Sequence, residues 1–217
     1  MSKKEIEEKL RCFSIDSIRE VINGSNKVFL CQMSGDNNEK LLSIYKPIKG
    51  ERPLGDFFTG NLSSRELASY EISKYFEWPN LPPLIIREGP FGFGSFQKFI
   101  DHNPKNNYFN LFNEYKKDLR LVIIFDSIIL NTDRKAGSII LDNKKNVWAI
   151  DQALTFNTHT RLRTVMFEFN KMKIEGKILL QIENFIFELV SKKEIYCILK
   201  NLISEEEIKG LIERSKI

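Results

Sequence analysis

Two aspartates follow apolar segments at points where the chain turns polar. Asp133 lies in the polar stretch 131–137, directly after an apolar run that ends at Leu130, and Asp151 ends a second apolar run eighteen residues later. A polar loop after a buried helix, then a short hairpin and a second aspartate, is the arrangement with which phosphate-transferring enzymes hold a base and a metal ion together. The two aspartates therefore predict phosphoryl-transfer chemistry.

A lysine, a glutamate and a serine complete the set. Kinase-type phosphoryl transfer needs a strand lysine for the α- and β-phosphates, a helix glutamate that orients it, a catalytic-loop aspartate, a metal ligand five residues further on, and a second metal-binding aspartate. The chain offers, in that order, Lys46, Glu66 or Glu71, Asp133, Ser138 and Asp151. Ser138 departs from the pattern, because its neutral hydroxyl stands where kinases have asparagine and is a weaker magnesium ligand. We therefore expect metal binding to rest mainly on Asp151.

Lys46 and Glu66 each have a structural interpretation as well. A lone lysine on a strand is normally a solvated edge residue. Glu66 fits the third position of a capping box that begins at Ser63, which would place it at the start of a helix. Their order in the chain favours the catalytic interpretation, with Glu66 preferred to Glu71 as the partner of Lys46.

Asp126 and Asp133 also have structural alternatives. Asp126 stands inside an apolar run and is costly to bury unpaired, so we expect it to hydrogen bond to the loop that follows rather than to act in catalysis. Asp133 and Arg134 alone could be a solvated ion pair at the end of a helix. The spacing from Asp133 to Asp151 favours a catalytic role for Asp133.

The residues before position 101 predict a mostly β lobe with one main helix. The predicted elements are a charged helix over 3–10, a strand or turn over 16–22, strands over 28–33 and 40–46, a helix that opens at Ser63, and strands over 84–87 and 95–100. Gly89, Gly92 and Gly94 form a turn between the last two strands, since no P-loop lysine and no helix follow them.

The residues after position 101 predict mainly helices. The predicted elements are helices over 109–115 and 117–130, a hairpin of 139–141 and 147–150, and helices over 163–169, 177–189, 193–202 and 204–215. The last helix carries a capping box formed by Ser204 and Glu207. No internal repeat interrupts this order.

Composition excludes several classes of protein. The 217 residues are 42% hydrophobic, which is enough for one large domain or two small lobes. The net charge of +4, from 33 basic and 29 acidic residues, allows only a mild attraction to anions, so we expect no nucleic-acid partner. No run approaches the roughly 20 apolar residues of a spanning helix, so no integral membrane segment is expected.

Cysteine usage and the N-terminus predict a cytoplasmic location. Cys12, Cys31 and Cys197 have no CxxC spacing, and with two histidines in the chain few zinc ligands are available. Reduced thiols are therefore expected. The first residues are charged rather than apolar, which argues against a signal peptide.

Several motifs also resemble a known family. The segments that carry the resemblance are Tyr45-Lys46-Pro47, Glu51-Arg52-Pro53-Leu54-Gly55-Asp56-Phe57, Arg65-Glu66-Leu67-Ala68-Ser69-Tyr70-Glu71, Pro82-Pro83, Arg87-Glu88-Gly89-Pro90-Phe91-Gly92, Asn131-Thr132-Asp133-Arg134-Lys135-Ala136-Gly137, Ile150-Asp151 and Leu162-Arg163-Thr164-Val165. Over about 22–169 they look like the bacterial phosphatidylinositol 3/4-kinase-like proteins of the SCO1664 family. The resemblance implies a single α+β domain over 1–217 with a two-lobed kinase-like fold. Its β-rich N-lobe, with one main helix, would span about 1–101 and its mostly helical C-lobe about 102–217.

The resemblance also implies ligands and residue roles. ATP and a divalent metal, Mg²⁺ or Mn²⁺, would be bound, with Lys46 on the phosphates, Asp133 in the catalytic loop and Asp151 on the metal. Asn23, Gly24, Ser25 and Asn26, continuing to Lys27, would form a turn whose backbone N–H groups cover the phosphates. Gln97, Lys98 and Phe99 would form the hinge strand that meets adenine, largely through backbone groups.

The predicted function is therefore an ATP-dependent phosphotransferase of the phosphatidylinositol 3/4-kinase-like type. A nucleotide-binding pseudokinase or scaffold is an alternative because of Ser138, and transfer of AMP instead of the phosphoryl group is another on the same fold. A lipid headgroup, a protein or a small molecule would all suit the same aspartate as acceptor, so the acceptor stays open.

Overall fold

The computed structural model describes residues 1–21, 27–51 and 62–216. The helices in these ranges are α1 Lys3–Cys12, α2 Leu62–Phe76, α3 Tyr108–Leu111, α4 Lys116–Ile129, α5 Gly176–Val190, α6 Glu194–Lys200 and α7 Glu205–Ser215. The strands are β1 Ser14–Glu20, β2 Phe29–Ser34, β3 Lys40–Pro47, β4 Leu84–Gly89, β5 Gly92–Lys98, β6 Ile139–Leu141 and β7 Val147–Ala149. A β-rich N-terminal lobe and a mostly helical C-terminal lobe confirm the predicted α+β, two-lobed architecture.

The N-terminal lobe is a five-stranded antiparallel sheet with the order β1-β2-β3-β5-β4. Apolar and more exposed residues alternate along β2, as expected for a strand with one face on a core. Helix α1 covers that face with Ile6 and Leu10, which belong to the same core cluster as Tyr45 and Phe96. The rings of Tyr45 on β3 and Phe96 on β5 stack with centroids 4.4 Å apart. This contact joins the two neighbouring strands at the position next to Lys46.

Helix α2 belongs to the core of the helical lobe. Its buried residues Ile72 and Phe76 join a cluster that includes Phe125 of α4 and Phe185 of α5. Phe76 and Phe185 are in contact with ring centroids 4.8 Å apart. The helix is therefore held against the C-terminal lobe, and its polar residues at 65 and 66 are placed between the two lobes.

The capping box predicted at Ser63 and Glu66 is wrong. Ser63 lies inside α2, which already includes Leu62, whereas an N-cap residue precedes its helix. The backbone N–H groups of Leu62 and Ser63 donate to the carboxylate of Glu51, at 3.1 and 3.3 Å. A carboxylate at this end of a helix also complements the helix dipole. Glu51 therefore caps α2, and the carboxylate of Glu66 is left for other partners.

The helix predicted over 163–169 is also wrong. Thr164 forms an isolated parallel bridge with Arg134, and only Phe167–Phe169 turns, as one short 3₁₀ helix. The N–H of Arg163 donates to the carbonyl of Asn131, and the N–H of Val165 to that of Arg134. These bonds to another segment replace the bonds that a helix would form. The helix predicted over 109–115 is shorter than expected, while the Ser204–Glu207 capping box is confirmed on α7.

The predictions about the cysteines and about membrane-spanning helices can be compared with the described residues. All three cysteines are free; Cys12 and Cys197 are exposed, and burial raises the pKa of the Cys31 thiol to about 11. None of the helices in the described ranges combines the length and the apolar character that crossing a bilayer requires.

Candidate functional site

Lys46 lies between two carboxylates that are far from it in the sequence. Its Nζ is 2.6 Å from Oε1 of Glu66 on α2 and 3.3 Å from Oδ1 of Asp151, which follows β7. The Ser95 hydroxyl of β5, opposite Lys46 in the sheet, donates to Oε2 of Glu66 at 3.2 Å and holds that carboxylate in place. Glu71 instead binds Lys74 at 3.1 Å. The structure thus brings Glu66, and not Glu71, to Lys46.

The charged side chains of Lys46, Glu66 and Asp151 stabilise one another in their ionised forms. Burial on its own would lower the pKa of Lys46, but attraction to Glu66 and Asp151 outweighs it and raises the pKa above its ordinary value. The nearby Lys46 ammonium lowers the pKa of the Asp151 carboxyl below its ordinary value. A cationic Lys46 and an anionic Asp151 therefore persist at neutral pH, where one suits phosphate and the other a divalent cation.

Arg134 is the centre of the loop that carries Asp133. Its Nε and Nη2 donate to the two carboxylate oxygens of Asp126 at 2.7 and 2.8 Å, and both side chains are fully buried. Its Nη1 donates to the carbonyls of Ile150, at 2.7 Å, and Ser138, at 3.3 Å. The predicted hydrogen bonding of Asp126 to the loop after it is confirmed. A solvated pair of Asp133 with Arg134 is excluded, because Arg134 points into the core.

The loop leaves α4 through a sharp turn. Leu130 ends the helix in a left-handed conformation, with φ 51°, at a position where glycine is most common. Asn131 then bridges the turn, because its Nδ2 donates to Asp126 at 3.1 Å and its Oδ1 accepts from the N–H of Asp133 at 3.0 Å. The backbone at Asp133 is therefore fixed from the helix core, while its side chain stays 44% exposed and meets Lys135, with Nζ 2.7 Å from Oδ2.

Asp151 adopts a conformation that is unusual for a residue other than glycine. Its φ is 62°, and its side chain is 59% exposed. The segment that follows is tied to α2, because Arg65 Nη1 donates to the carbonyl of Thr155 and the Ser69 hydroxyl lies 3.4 Å from the carbonyl of Gln152. Left-handed backbone at such a position requires a supporting structure and is common at functional sites. Helix α2 thus carries Glu66 and also anchors the segment that follows Asp151.

Ser138 lies next to Asp151 but is poorly placed as a metal ligand. Its side chain is almost fully buried, and its hydroxyl is 3.5 Å from Oδ2 of Asp151. Within 1–21, 27–51 and 62–216, no group of three or more His, Cys, Asp or Glu side chains could hold a metal ion. Magnesium in nucleotide sites is commonly held by one or two carboxylates, with phosphate oxygens and water completing the shell. The exposed carboxylate of Asp151 fits that mode of binding.

The residues predicted to meet adenine lie at the end of β5. Gln97 pairs with Ile44 and Leu84 in the sheet and is buried. The N–H of Lys98 donates to Pro83 at 2.8 Å, and that of Phe99 to Leu42 at 2.9 Å. These two groups cannot donate to a ligand without leaving their sheet partners. The predicted phosphate-covering residues Asn23, Gly24, Ser25 and Asn26 lie outside the described residues.

Sequence reasoning missed four residues that support the site: Glu51, Ser95, Asn131 and Arg134 as a buried anchor. The one usable signal was Asp126 in an apolar run, because a buried carboxylate requires a partner and an arginine follows eight residues later. Glu51 and Ser95 act through contacts that span 11 and 29 residues of chain, and no local pattern marks them.

Replacement of Glu66 by glutamine should lower the free energy of unfolding by about 1–3 kcal/mol, because Lys46 loses its shortest ion pair. Glu71→Gln on the same helix should cost less than about 1 kcal/mol, since its pair with Lys74 is partly exposed. Urea unfolding followed by circular dichroism compares the two. Equal losses would show that the Lys46–Glu66 pair has no special weight.

The sheet, the helical lobe and the Lys46–Glu66–Asp151 cluster define a protein of kinase-like fold. The whole chain is similar to a solved Golgi casein kinase with Mn and ADP bound, with a TM-score of 0.62, 12% identity, and coverage of 98% of this chain and 73% of that one. The chain belongs to the family of protein Rv2133c of Mycobacterium tuberculosis. The two are 31% identical over an alignment of 192 residues, and the match covers 72% of this chain and 69% of the relative. No family model matches the chain, so the resemblance to the SCO1664 family stays an interpretation of motifs.

Proposed function

We propose that this protein is an ATP-dependent phosphotransferase that acts on a hydroxyl acceptor. The observation that carries the proposal is the contact of Lys46 with both Glu66 and Asp151, residues 20 and 105 positions away in the chain. A lysine held by a helix glutamate beside a metal-binding aspartate is the arrangement that positions ATP phosphates in kinases. The kinase-like fold supports the same proposal, as does the Mn/ADP complex of the similar Golgi casein kinase.

The proposed reaction uses three residues of the chain. Lys46 binds the α- and β-phosphates, and the Asp133 carboxylate accepts the proton of the acceptor hydroxyl. The acceptor oxygen then forms a bond to the γ-phosphorus as the bond from that phosphorus to the ADP oxygen breaks. A divalent cation, held by Asp151 with Ser138 beside it, would neutralise charge on the phosphates when bound. Adenine would lie against the end of β5, at Gln97–Phe99.

The finer parts of the proposal rest on the motifs. The segments around Lys46, Asp133 and Asp151 support the phosphatidylinositol 3/4-kinase-like type and a single domain with a lobe boundary near 101. Action in the cytoplasm is proposed from the cysteines, which have no CxxC spacing. The acceptor is a lipid headgroup, a protein or a small molecule. ATP and its metal are the proposed ligands, with no nucleic acid among the partners.

A second candidate is a nucleotide-binding pseudokinase. The observation that favours it is Ser138, a buried neutral hydroxyl where a kinase has a metal-binding asparagine. Tight ATP binding without transfer of phosphate or AMP to any acceptor would support this candidate. Mass spectrometry of a labelled product would separate phosphoryl transfer from AMP transfer, because the two groups differ in mass.

A thermal-shift titration with ATP and magnesium tests the binding part of the proposal. Ligand bound to the folded state at 100 times its Kd stabilises a protein by about 2.7 kcal/mol. We expect the magnesium-dependent part of this shift to disappear in Asp151→Asn and to persist in Asp118→Asn, an exposed aspartate at the start of α4. Each variant is compared with itself in EDTA, so that changes in basal stability cancel. An equal magnesium-dependent shift in all three proteins would remove Asp151 from the metal site.

A further inference from the structure

Helix α7 is connected to the segment that follows Asp151 through one guanidinium. Oε1 of Glu207, in the first turn of α7, forms an ion pair with Nη2 of Arg65 on α2, and the two side chains are 13% and 8% exposed. Nη1 of Arg65 donates to the carbonyl of Thr155. Thr155 lies only four residues after Asp151 in the chain. A largely buried contact of α7 is therefore within a short stretch of backbone of the candidate metal ligand.

The two carboxylate oxygens of Glu207 have different partners. Oε2 accepts from the backbone N–H of Ser204 at 2.9 Å and from the Ser204 hydroxyl at 3.0 Å, as part of the capping box of α7. Oε1 faces Arg65. A capping box forms with glutamine as well as with glutamate at this position. The cap therefore does not require the negative charge of Glu207, whereas the ion pair with Arg65 does.

Helix α7 is itself firmly attached to the helical lobe. Its buried residues Ile208 and Leu211 belong to the same core cluster as Phe125 of α4. Arg214 donates through Nε to the carbonyl of Ile128, in the last turn of α4, at 3.0 Å. The core of the lobe thus fixes the position from which α7 holds the guanidinium on α2.

The segment after Asp151 is held from two sides. On one side the N–H of Thr132 donates to the carbonyl of Leu154 at 2.9 Å. On the other side Arg65 donates to the carbonyl of Thr155. Asp151 itself has a φ of 62°, a left-handed conformation that persists only when the surrounding structure holds it. Loosening one of the two sides should therefore let the backbone at Asp151 relax.

We propose that Glu207 is a positioning residue that acts on Asp151 through Arg65. The Glu207 carboxylate fixes the guanidinium, and the guanidinium fixes the carbonyl of Thr155. The segment so held keeps Asp151 in the conformation in which its carboxylate is available to a divalent cation. The inference rests on the proposed function, because it concerns the metal ligand of that site, and it gives α7 a part in metal binding.

Two variants separate the ion pair with Arg65 from the helix cap. Glu207→Gln keeps a capping-box side chain and removes the charge that faces Arg65. Ser204→Ala removes the N-cap side chain and leaves the charge of Glu207 in place. Hydrogen-exchange mass spectrometry on the free protein measures opening of the segment 151–157. Calorimetry gives the Kd for ATP in EDTA and in excess magnesium, and the ratio of the two values is the metal-dependent gain in affinity.

We expect Glu207→Gln to speed hydrogen exchange in the segment 151–157 about fivefold, the equivalent of one lost hydrogen bond. The metal-dependent gain in ATP affinity should fall about tenfold, as it does when a residue that orients a metal ligand is lost. The Kd for ATP in EDTA should stay unchanged. Ser204→Ala should change none of the three quantities, because it leaves the Glu207–Arg65 ion pair intact.

Equal exchange rates of the segment in Glu207→Gln and Ser204→Ala would overturn the inference, whether or not the protein binds ATP. Faster exchange in Glu207→Gln with the full metal-dependent gain would overturn it as well, since Asp151 would then not depend on the contact. If exchange is faster in Glu207→Gln but magnesium adds no ATP affinity even in the wild type, the proposed function is rejected and the connection of α7 to the segment is kept.

Discussion

Arg134→Met should lower the free energy of unfolding by about 3–5 kcal/mol, because it breaks a fully buried ion pair and leaves the charge of Asp126 without its partner. The carbonyls of Ser138 and Ile150 lose a donor in the same step. Urea unfolding measured by circular dichroism at neutral pH gives the value. Because these contacts join the loop of Asp133 to the residue before Asp151, nucleotide binding should weaken in parallel.

A matched control separates burial from charge. Arg120 on α4 also pairs with a carboxylate, Glu175, at 3.1 Å, but Glu175 is 68% exposed. Arg120→Met should therefore cost less than about 1 kcal/mol. If Arg134→Met cost no more than Arg120→Met, the buried network would not be what holds the loop.

Asp133→Asn should reduce the release of γ-phosphate by about 10²–10⁴-fold, the range in which general bases contribute to catalysis. Asparagine keeps the shape of the side chain, and the backbone at this position is fixed by Asn131 rather than by the carboxylate. Folding and the affinity for ATP should therefore stay within about twofold of the wild type. Fixed-time assays with γ-labelled ATP give the rate of phosphate release, and calorimetry on the same preparation gives the Kd for ATP.

Asp118→Asn is the control for loss of one exposed carboxylate and should leave the rate of γ-phosphate release and the affinity for ATP unchanged. A metal-dependent turnover of ATP that survives in Asp133→Asn would refute the role of Asp133 as base. If the wild type and Asp133→Asn bind ATP with equal affinity and neither of them turns it over, the pseudokinase is favoured.

The two expected effects differ in physical origin. Arg134 acts through burial, since its guanidinium makes its four hydrogen bonds, to both oxygens of Asp126 and to the carbonyls of Ser138 and Ile150, only in the assembled lobe. Asp133 acts through exposure, since a proton acceptor has to reach a substrate. Their neighbouring positions place a structural residue and a candidate base on one short loop.

Local patterns in the sequence were enough for most elements of the fold. Strand alternation and turn residues predicted the hairpins, and the capping box at Ser204 and Glu207 is present because its bonds join residues only three positions apart. The same motif failed at Ser63, where Glu51 supplies the cap across 11 residues and Glu66 binds Lys46 instead. A local motif therefore holds only where no distant group competes for its side chains.

The amino-acid sequence by itself determined the order and the chemical types of the site residues, from Lys46 to Asp151, and the regular elements that carry them. The tertiary structure alone decided which of them meet: Glu66 rather than Glu71 at Lys46, Arg134 with Asp126 rather than with Asp133, and an extended segment instead of a helix at Thr164. The physical reason is that these choices depend on burial. A charge in the core requires a partner close to it in the packed structure. The spacing of two residues along the sequence does not give their distance in space, so it does not identify that partner.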